Sequence, residues 1–183
     1  GLNTWLSLGI DRIDNIMKIF TRILHLLLII TALVIQITFF EHLNMFNIYF
    51  DLVLVILVAA TLVNGALYGI VSGFIAGLLL DLIAGDLVGL SALIYALDAF
   101  IVWKLVESGL KYRLSSQVFL VFAVTEANLL TISLVRFLFN YNIDLNMLGM
   151  EILLKPAFNI LLMFAIYPVV RISMRQRMES FDL

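Results

Sequence analysis

Two acidic residues stand inside otherwise apolar runs, and any chemistry in this chain would start from them. Asp98 lies in ALIYALDAFIVW and Glu126 in VFAVTEANLL. A charged group at the centre of a bilayer costs roughly 2.5–3.5 kcal/mol on insertion scales, so an intramembrane acid is a functional-site candidate by default. The chemistry would be proton relay or ligand binding. Asn128 and Asn159 add amides in the same or a later apolar run. Asp98, Glu126, Asn128 and Asn159 therefore form a possible intramembrane polar site. A second use is structural: an acid can hydrogen-bond Thr125, Asn128 or Asn159 across helices. Both readings are open from the residues alone.

Other reaction types find little support. The chain has no cysteine, and its two histidines, His25 and His42, stand apart. Neither thiolate nor histidine-cluster metal sites are expected. Asp81 and Asp86 flank a tight turn, but two acids without further ligands make a poor cation cage. G-x-S-x-G, H-E-x-x-H and phosphate-loop patterns are missing from the sequence. The expectation is a protein that is not an enzyme and carries no cofactor or metal. A net charge of −2 gives no sign of nucleic-acid binding.

The elements that position these residues follow from composition. Of 183 residues, 63% are hydrophobic and 13% charged, against about 45–50% and about 25% in ordinary globular domains. Such an excess calls for a multi-spanning membrane protein, and long apolar runs favour helices over a barrel. Six spans fit, at about 19–40, 45–64, 65–85, 87–106, 116–138 and 152–173. The expected class is an all-α integral membrane protein, with one six-span domain over 17–178. Residues 1–16 are an N-terminal extension: a tag, a disordered segment or an interfacial helix. Residues 179–183 form a cytoplasmic tail.

Basic residues orient the spans. Arg12, Lys18, Arg22, Lys104, Lys111, Arg113, Arg171, Arg175 and Arg177 fall on one side, and Arg136 and Lys155 on the other. By the positive-inside rule both termini are cytoplasmic. Lys104, Glu107, Lys111 and Arg113 form a small cytoplasmic patch, read as a positive-inside anchor or as a contact for anionic lipid or an acidic partner. Trp103, Tyr112 and Tyr167 read as interface anchors.

Residues 65–89, GALYGIVSGFIAGLLLDLIAGDLVG, hold six of the ten glycines. Gly65, Gly69, Gly73 and Gly77 fall four apart, Asp81 takes the next place, and Gly85 and Gly89 resume the series. Small residues at this spacing let helix backbones approach closely in lipid. The track serves packing within the subunit or docking of a partner's membrane helix. Asp81 is expected to accept hydrogen bonds from the start of the fourth helix and so pin a helical hairpin.

At these residues the sequence resembles the rod shape-determining protein MreD family. Gly73-Phe74, Gly77-Leu78, Asp81-Leu82, Gly85, Gly89 and Ala92 carry the likeness, as G-F-x-x-G-L-x-x-D-L-x-x-G-x-x-x-G. Phe50-Asp51-Leu52 stands where the family often has proline-aspartate-leucine. Pro156, Asn159 and Tyr167-Pro168 are similar to late features of the family, and the likeness runs from about Met17 to the end.

The resemblance implies a non-enzymatic scaffold in the bacterial cytoplasmic membrane. It would bind MreC, a single-span protein, and help couple MreB filaments to RodA and a class B penicillin-binding protein in peptidoglycan synthesis. On that reading Gly65, Gly69, Gly73, Phe74, Gly77, Asp81, Gly85 and Gly89 are partner-binding candidates. It also implies a helical arrangement similar to the substrate-binding subunits of energy-coupling-factor transporters. That likeness supplies one rival, a vitamin-type binding subunit with an outward cavity among the polar residues of spans four to six. A proton-coupled carrier using Asp98 and Glu126 is the other.

A reporter fused after Leu183 is expected to be active only in the cytoplasm. Activity confined to the outer side would overturn the assigned orientation.

Overall fold

The structure, a computed structural model, describes residues 2–44, 50–84, 87–110, 114–142 and 144–174. Six helices follow one another among them: α1 (Leu2–Asn44), α2 (Leu52–Asn64), α3 (Ala66–Ala84), α4 (Leu90–Glu107), α5 (Leu114–Leu138) and α6 (Leu145–Met174). Three contain stretches long and apolar enough to cross a membrane, over Ala66–Ile83, Ser115–Leu138 and Leu145–Ile172. Shorter apolar stretches cover Leu27–Thr38 and Leu52–Asn64. α4 is long enough but carries Asp98, Lys104 and Glu107.

Capping side chains set several boundaries that hydropathy alone misplaces. The second helix begins at Leu52, not near 45, because Asp51 is extended (φ −129°, ψ 90°) and its carboxylate accepts a hydrogen bond from Leu54 N–H at 2.9 Å. That is an N-cap, and it satisfies one of the amides a helix start leaves unpaired. Residues 45–49 lie outside the described residues. The last helix begins at Leu145, seven residues before the expected span, because Asp144 accepts from Asn146 N–H (2.9 Å) and Met147 N–H (3.3 Å). Residues 2–16 continue into the first span as one 43-residue helix. At 1.5 Å per residue α1 is about 65 Å long, roughly twice a hydrocarbon core. Between α2 and α3 only Gly65 leaves the helical conformation. Its φ of +87° suits glycine, its N–H donates to Thr61 O, and its carbonyl accepts from Gly69 N–H.

The bundle is built around α2, in which every residue from Val53 to Leu62 is buried. α1 lays Ile29, Ala32, Leu33 and Gln36 inward, at the 3–4 spacing of one helical face. α3 and α4 make the closest pairing. A Cβ added at Gly73 would lie 2.8 Å from the Tyr95 carbonyl oxygen, and one at Gly77 would collide with the backbone of Ser91 and Ala92. One at Gly69 would lie 2.9 Å from Thr61 Cβ on α2. Only hydrogen fits at these positions, so dispersion contacts between backbones accumulate where lipid gives no hydrophobic drive.

At three of its positions the glycine track serves the packing within the subunit that was one of its two expected uses. Gly69, Gly73 and Gly77 are covered by the chain's own α2 and α4, which leaves no small face there for another helix. Outward, α3 shows Leu67, Val71, Phe74 and Ile75. Gly65 and Gly89 serve as positive-φ turn positions, and Gly85 and Asp86 lie outside the described residues.

Gly77→Ala is expected to destabilise the fold by about 1–3 kcal/mol, the usual cost of overpacking. Gly149→Ala, where nothing lies within 4 Å of the added carbon, should not. Thermal unfolding in detergent compares the two, and equal midpoints would contradict the close α3–α4 contact.

Candidate functional site

α4 starts at Leu90 behind Gly89, a left-handed residue (φ 98°) with no side chain to cap the helix. The cap comes from α3. Asp81 Oδ2 accepts from Gly89 N–H (2.8 Å), Ser91 N–H (3.0 Å) and Ala92 N–H (3.3 Å), and Oδ1 also accepts from Ser91 N–H (3.2 Å). The amides of Ser91 and Ala92 are the ones an N-cap residue normally satisfies. The carboxylate also faces the positive end of the α4 dipole. Moving one turn back along α3 brings Gly77 to Ser91–Ala92, and another brings Gly73 to Tyr95. The glycines and Asp81 are thus one device: close approach along the hairpin, closed at its end by a carboxylate.

A second carboxylate gathers the rest of the bundle. Asp51 Oδ1 accepts from Leu54 N–H on α2 and, at 3.4 Å, from Gln36 Nε2 on α1. Tyr95 OH on α4 donates to both Asp51 oxygens at 3.1 Å. Lys155 Nζ on α6 lies 4.0 Å from Oδ2. The amides nearby are used as fully. Val53 N–H donates to Gln36 Oε1 (3.1 Å), and Asp51 N–H donates to Asn159 Oδ1 (2.8 Å). Asn159 Nδ2 in turn donates to Thr125 Oγ1 on α5 at 3.1 Å. Asp51, Tyr95, Thr125 and Asn159 are all at most 5% exposed, so this network runs through the interior and joins α1, α2, α4, α5 and α6.

Asp98 and Asn128 form a second buried contact. Asn128 Nδ2 donates to Asp98 Oδ2 at 2.6 Å, tying α5 to α4. Asn128 Oδ1 is buried without a hydrogen-bond partner among the described residues.

Of the four proposed intramembrane residues, the structure therefore pairs Asp98 with Asn128 and sends Asn159 to Asp51 and Thr125. It does not bring Glu126 to them. Glu126 is half-buried and points away, because residues 126 and 128 are 200° apart on a helix of 3.6 residues per turn. The members that sequence reasoning missed are Gln36, Asp51, Tyr95 and Lys155. Asp51 had a readable signal, an aspartate directly ahead of an apolar run. Tyr95 and Lys155 had none, since only the packing of distant helices brings them to it.

At the far end of α4, Lys104 pairs with Glu107 at 3.0 Å and lies 4.7 Å above the Trp103 ring. Both charged side chains are exposed, so the pair is worth little. Lys111 and Arg113 of the expected patch lie outside the described residues. Among those residues no group of three or more His, Cys, Asp or Glu side chains converges on a metal position.

Apolar helices cross-linked inside by buried carboxylates, amides and hydroxyls are the interior of an all-helical membrane-type protein. The family model described as rod shape-determining protein MreD matches residues 17–177, and the chain belongs to that family. The family is a shape-determining structural component. No curated protein and no solved structure matches the chain.

Asp51→Ala removes the acceptor for Leu54, Gln36 and Tyr95. At roughly 0.6–2 kcal/mol for each interhelical bond in a membrane protein, the expected loss is on the order of 2–4 kcal/mol. Asp98→Asn keeps an oxygen facing Asn128 and should cost under about 1 kcal/mol. Unfolding midpoints of the two variants in detergent check the ranking, and an Asp98→Asn loss as large as that of Asp51→Ala would refute it.

Proposed function

We propose that this chain is a non-enzymatic scaffold of the bacterial cell-elongation machinery, spanning the cytoplasmic membrane six times with both termini inside. It binds a single-span partner of the MreC type and helps couple MreB filaments to peptidoglycan synthesis by RodA and a class B penicillin-binding protein. The observation that carries the reading is the family match over residues 17–177. Physical features support it. Four polar side chains of the interior hold helices together: Asp51 and Asp81 cap helices, and Asn159 and Asn128 bridge them. A scaffold needs that rigidity more than it needs free reactive groups.

The uptake rival places its ligand among the polar residues of α4, α5 and α6. A groove of about 420 Å³ lies elsewhere, between α1, α2 and α6, lined by residues such as Leu24, Leu28, Ile56 and Val169 with Thr31 as its one polar member. Its lining offers almost nothing to orient a polar vitamin. With six spans and an inside N-terminus, the Asp51 network and the Asp81 cap fall in the outer half of the bilayer. A partner that carries its working domain outside would meet the bundle at that end.

In a rod-shaped bacterium lacking its own MreD, expression of the full chain together with its cognate single-span partner is expected to restore rods. The partner should co-purify with the chain in detergent. Round cells despite correct insertion, with no partner recovered, would sink the scaffold reading. A tightly held small molecule in the purified chain would favour uptake.

A further inference from the structure

α5 presents two unlike faces. Gln117, Leu120, Val121, Val124, Thr125, Asn128 and Leu129 are buried, and they form the inward face. Opposite them Ser115, Phe119, Phe122, Leu130, Leu134 and Phe137 are exposed. The steps along this outward line are four, three, eight, four and three, so one position is missing from the middle of the series. Glu126 fills it. It is the twelfth residue of the 24-residue apolar stretch Ser115–Leu138, which puts it at mid-depth. Its neighbours on the line are bulky and apolar, and a phenylalanine or leucine would complete the stripe.

The carboxyl is not satisfied from within. Glu126 makes no hydrogen bond or ion pair among the described residues: its Oε1 is covered by the chain itself without a partner, while the residue as a whole is only half-buried on the outward side of α5. The nearest cation along the helix, Arg136, is ten residues on, or about 15 Å. Lys155 is next to Asp51. An acid facing hydrocarbon is costly, and a donor brought by another helix lowers that cost while adding an interhelical bond. A second copy of this chain would present the same acceptor at the same depth, so it is the poorer complement.

We infer that the outward face of α5, centred on Glu126 and flanked by Phe122 and Leu130, docks a membrane-spanning helix of another protein that carries a hydrogen-bond-donating side chain at mid-depth. The inference rests on the scaffold reading and names the surface that a membrane partner uses. The glycine face of α3 cannot serve, since α2 and α4 occupy it. The bulky stripe supplies contact area, and the carboxyl fixes the depth and rotation of the incoming helix.

The test uses the full chain in its native membrane. Photo-crosslinking residues replace Phe122, Leu130 or, as a comparison, the exposed Val71 of α3, with Glu126 native, as Glu126→Gln or as Glu126→Leu. Adducts are expected from 122 and 130. The crosslinked segment should be a membrane span with Arg, Lys, Asn or Gln within one turn of the attachment point. Glu126→Leu should lower adduct yield about tenfold, the equivalent of one interhelical bond of roughly 1.4 kcal/mol. Glu126→Gln keeps an acceptor and should fall between. Replacing the partner's donor with leucine should reproduce the loss. Unfolding midpoints in detergent confirm that each variant is folded.

Adducts from position 71 alone, unchanged yield in Glu126→Leu, or adducts only with a second copy of the chain would each overturn the inference. None of these would touch the scaffold reading if the single-span partner still co-purifies. That reading fails separately, if the native chain recovers no partner.

Discussion

The first amides of α2 have no helical partners, and in an apolar bundle they have no water either. Each must be met by a side chain, because an unpaired backbone group in hydrocarbon costs several kcal/mol. Asp51, Gln36 and Asn159 meet them, and in doing so they fix α1 and α6 against the start of α2. The carboxylate of Asp51 is then itself a buried acceptor in need of donors, and Tyr95 brings α4 to it. Thr125 closes the chain of bonds on α5. One local requirement therefore propagates through most of the bundle. Apolar packing alone would leave those helices free to rotate and slide, since one lipid-facing surface resembles another. The polar bonds select a single arrangement.

α3 and α4 solve the same requirement by another route. Gly89 permits the tight left-handed turn into α4 but brings no cap, and Asp81 reaches across to supply it. The geometry works only if the two backbones are very close, and Gly73 and Gly77 allow that approach. The aspartate that interrupts the glycine series is thus its continuation by other means. It stands one turn after Gly77, at the level where α4 no longer offers a backbone to pack against but offers three N–H groups instead.

Much of this was legible in the sequence. Helical content follows from the apolar runs, and Asp81 as a pin followed from its distance to the start of the fourth helix. Asp98 and Asn128 were both marked, and they pair. The starts of α2 and α6 are written as caps at Asp51 and Asp144, yet hydropathy began the one run too early and the other too late, because a hydrophobic average does not see a single capping side chain. The 200° between Glu126 and Asn128 is equally readable, and it separates Glu126 from the three inward members of the expected intramembrane set. What the sequence did not carry was the meeting of Gln36, Asp51, Tyr95 and Lys155. These residues are separated by up to 119 positions, and no local periodicity encodes which helices become neighbours. The MreD likeness rested on the hairpin signature, and that hairpin is the closest-packed part of the structure.

The position of α2 has a consequence for how the protein meets membranes of different thickness. At 13 residues it is about 20 Å long, well short of a typical hydrocarbon core. Facing lipid, such a helix would thin the bilayer around it or tilt its neighbours. α2 meets almost no lipid, because its residues from Val53 to Leu62 are enclosed by the other helices. Hydrophobic mismatch is therefore borne by the longer perimeter helices, α1, α3, α5 and α6. Those can tilt to follow a thicker or thinner membrane, while the short central helix and the bonds at its start keep their geometry.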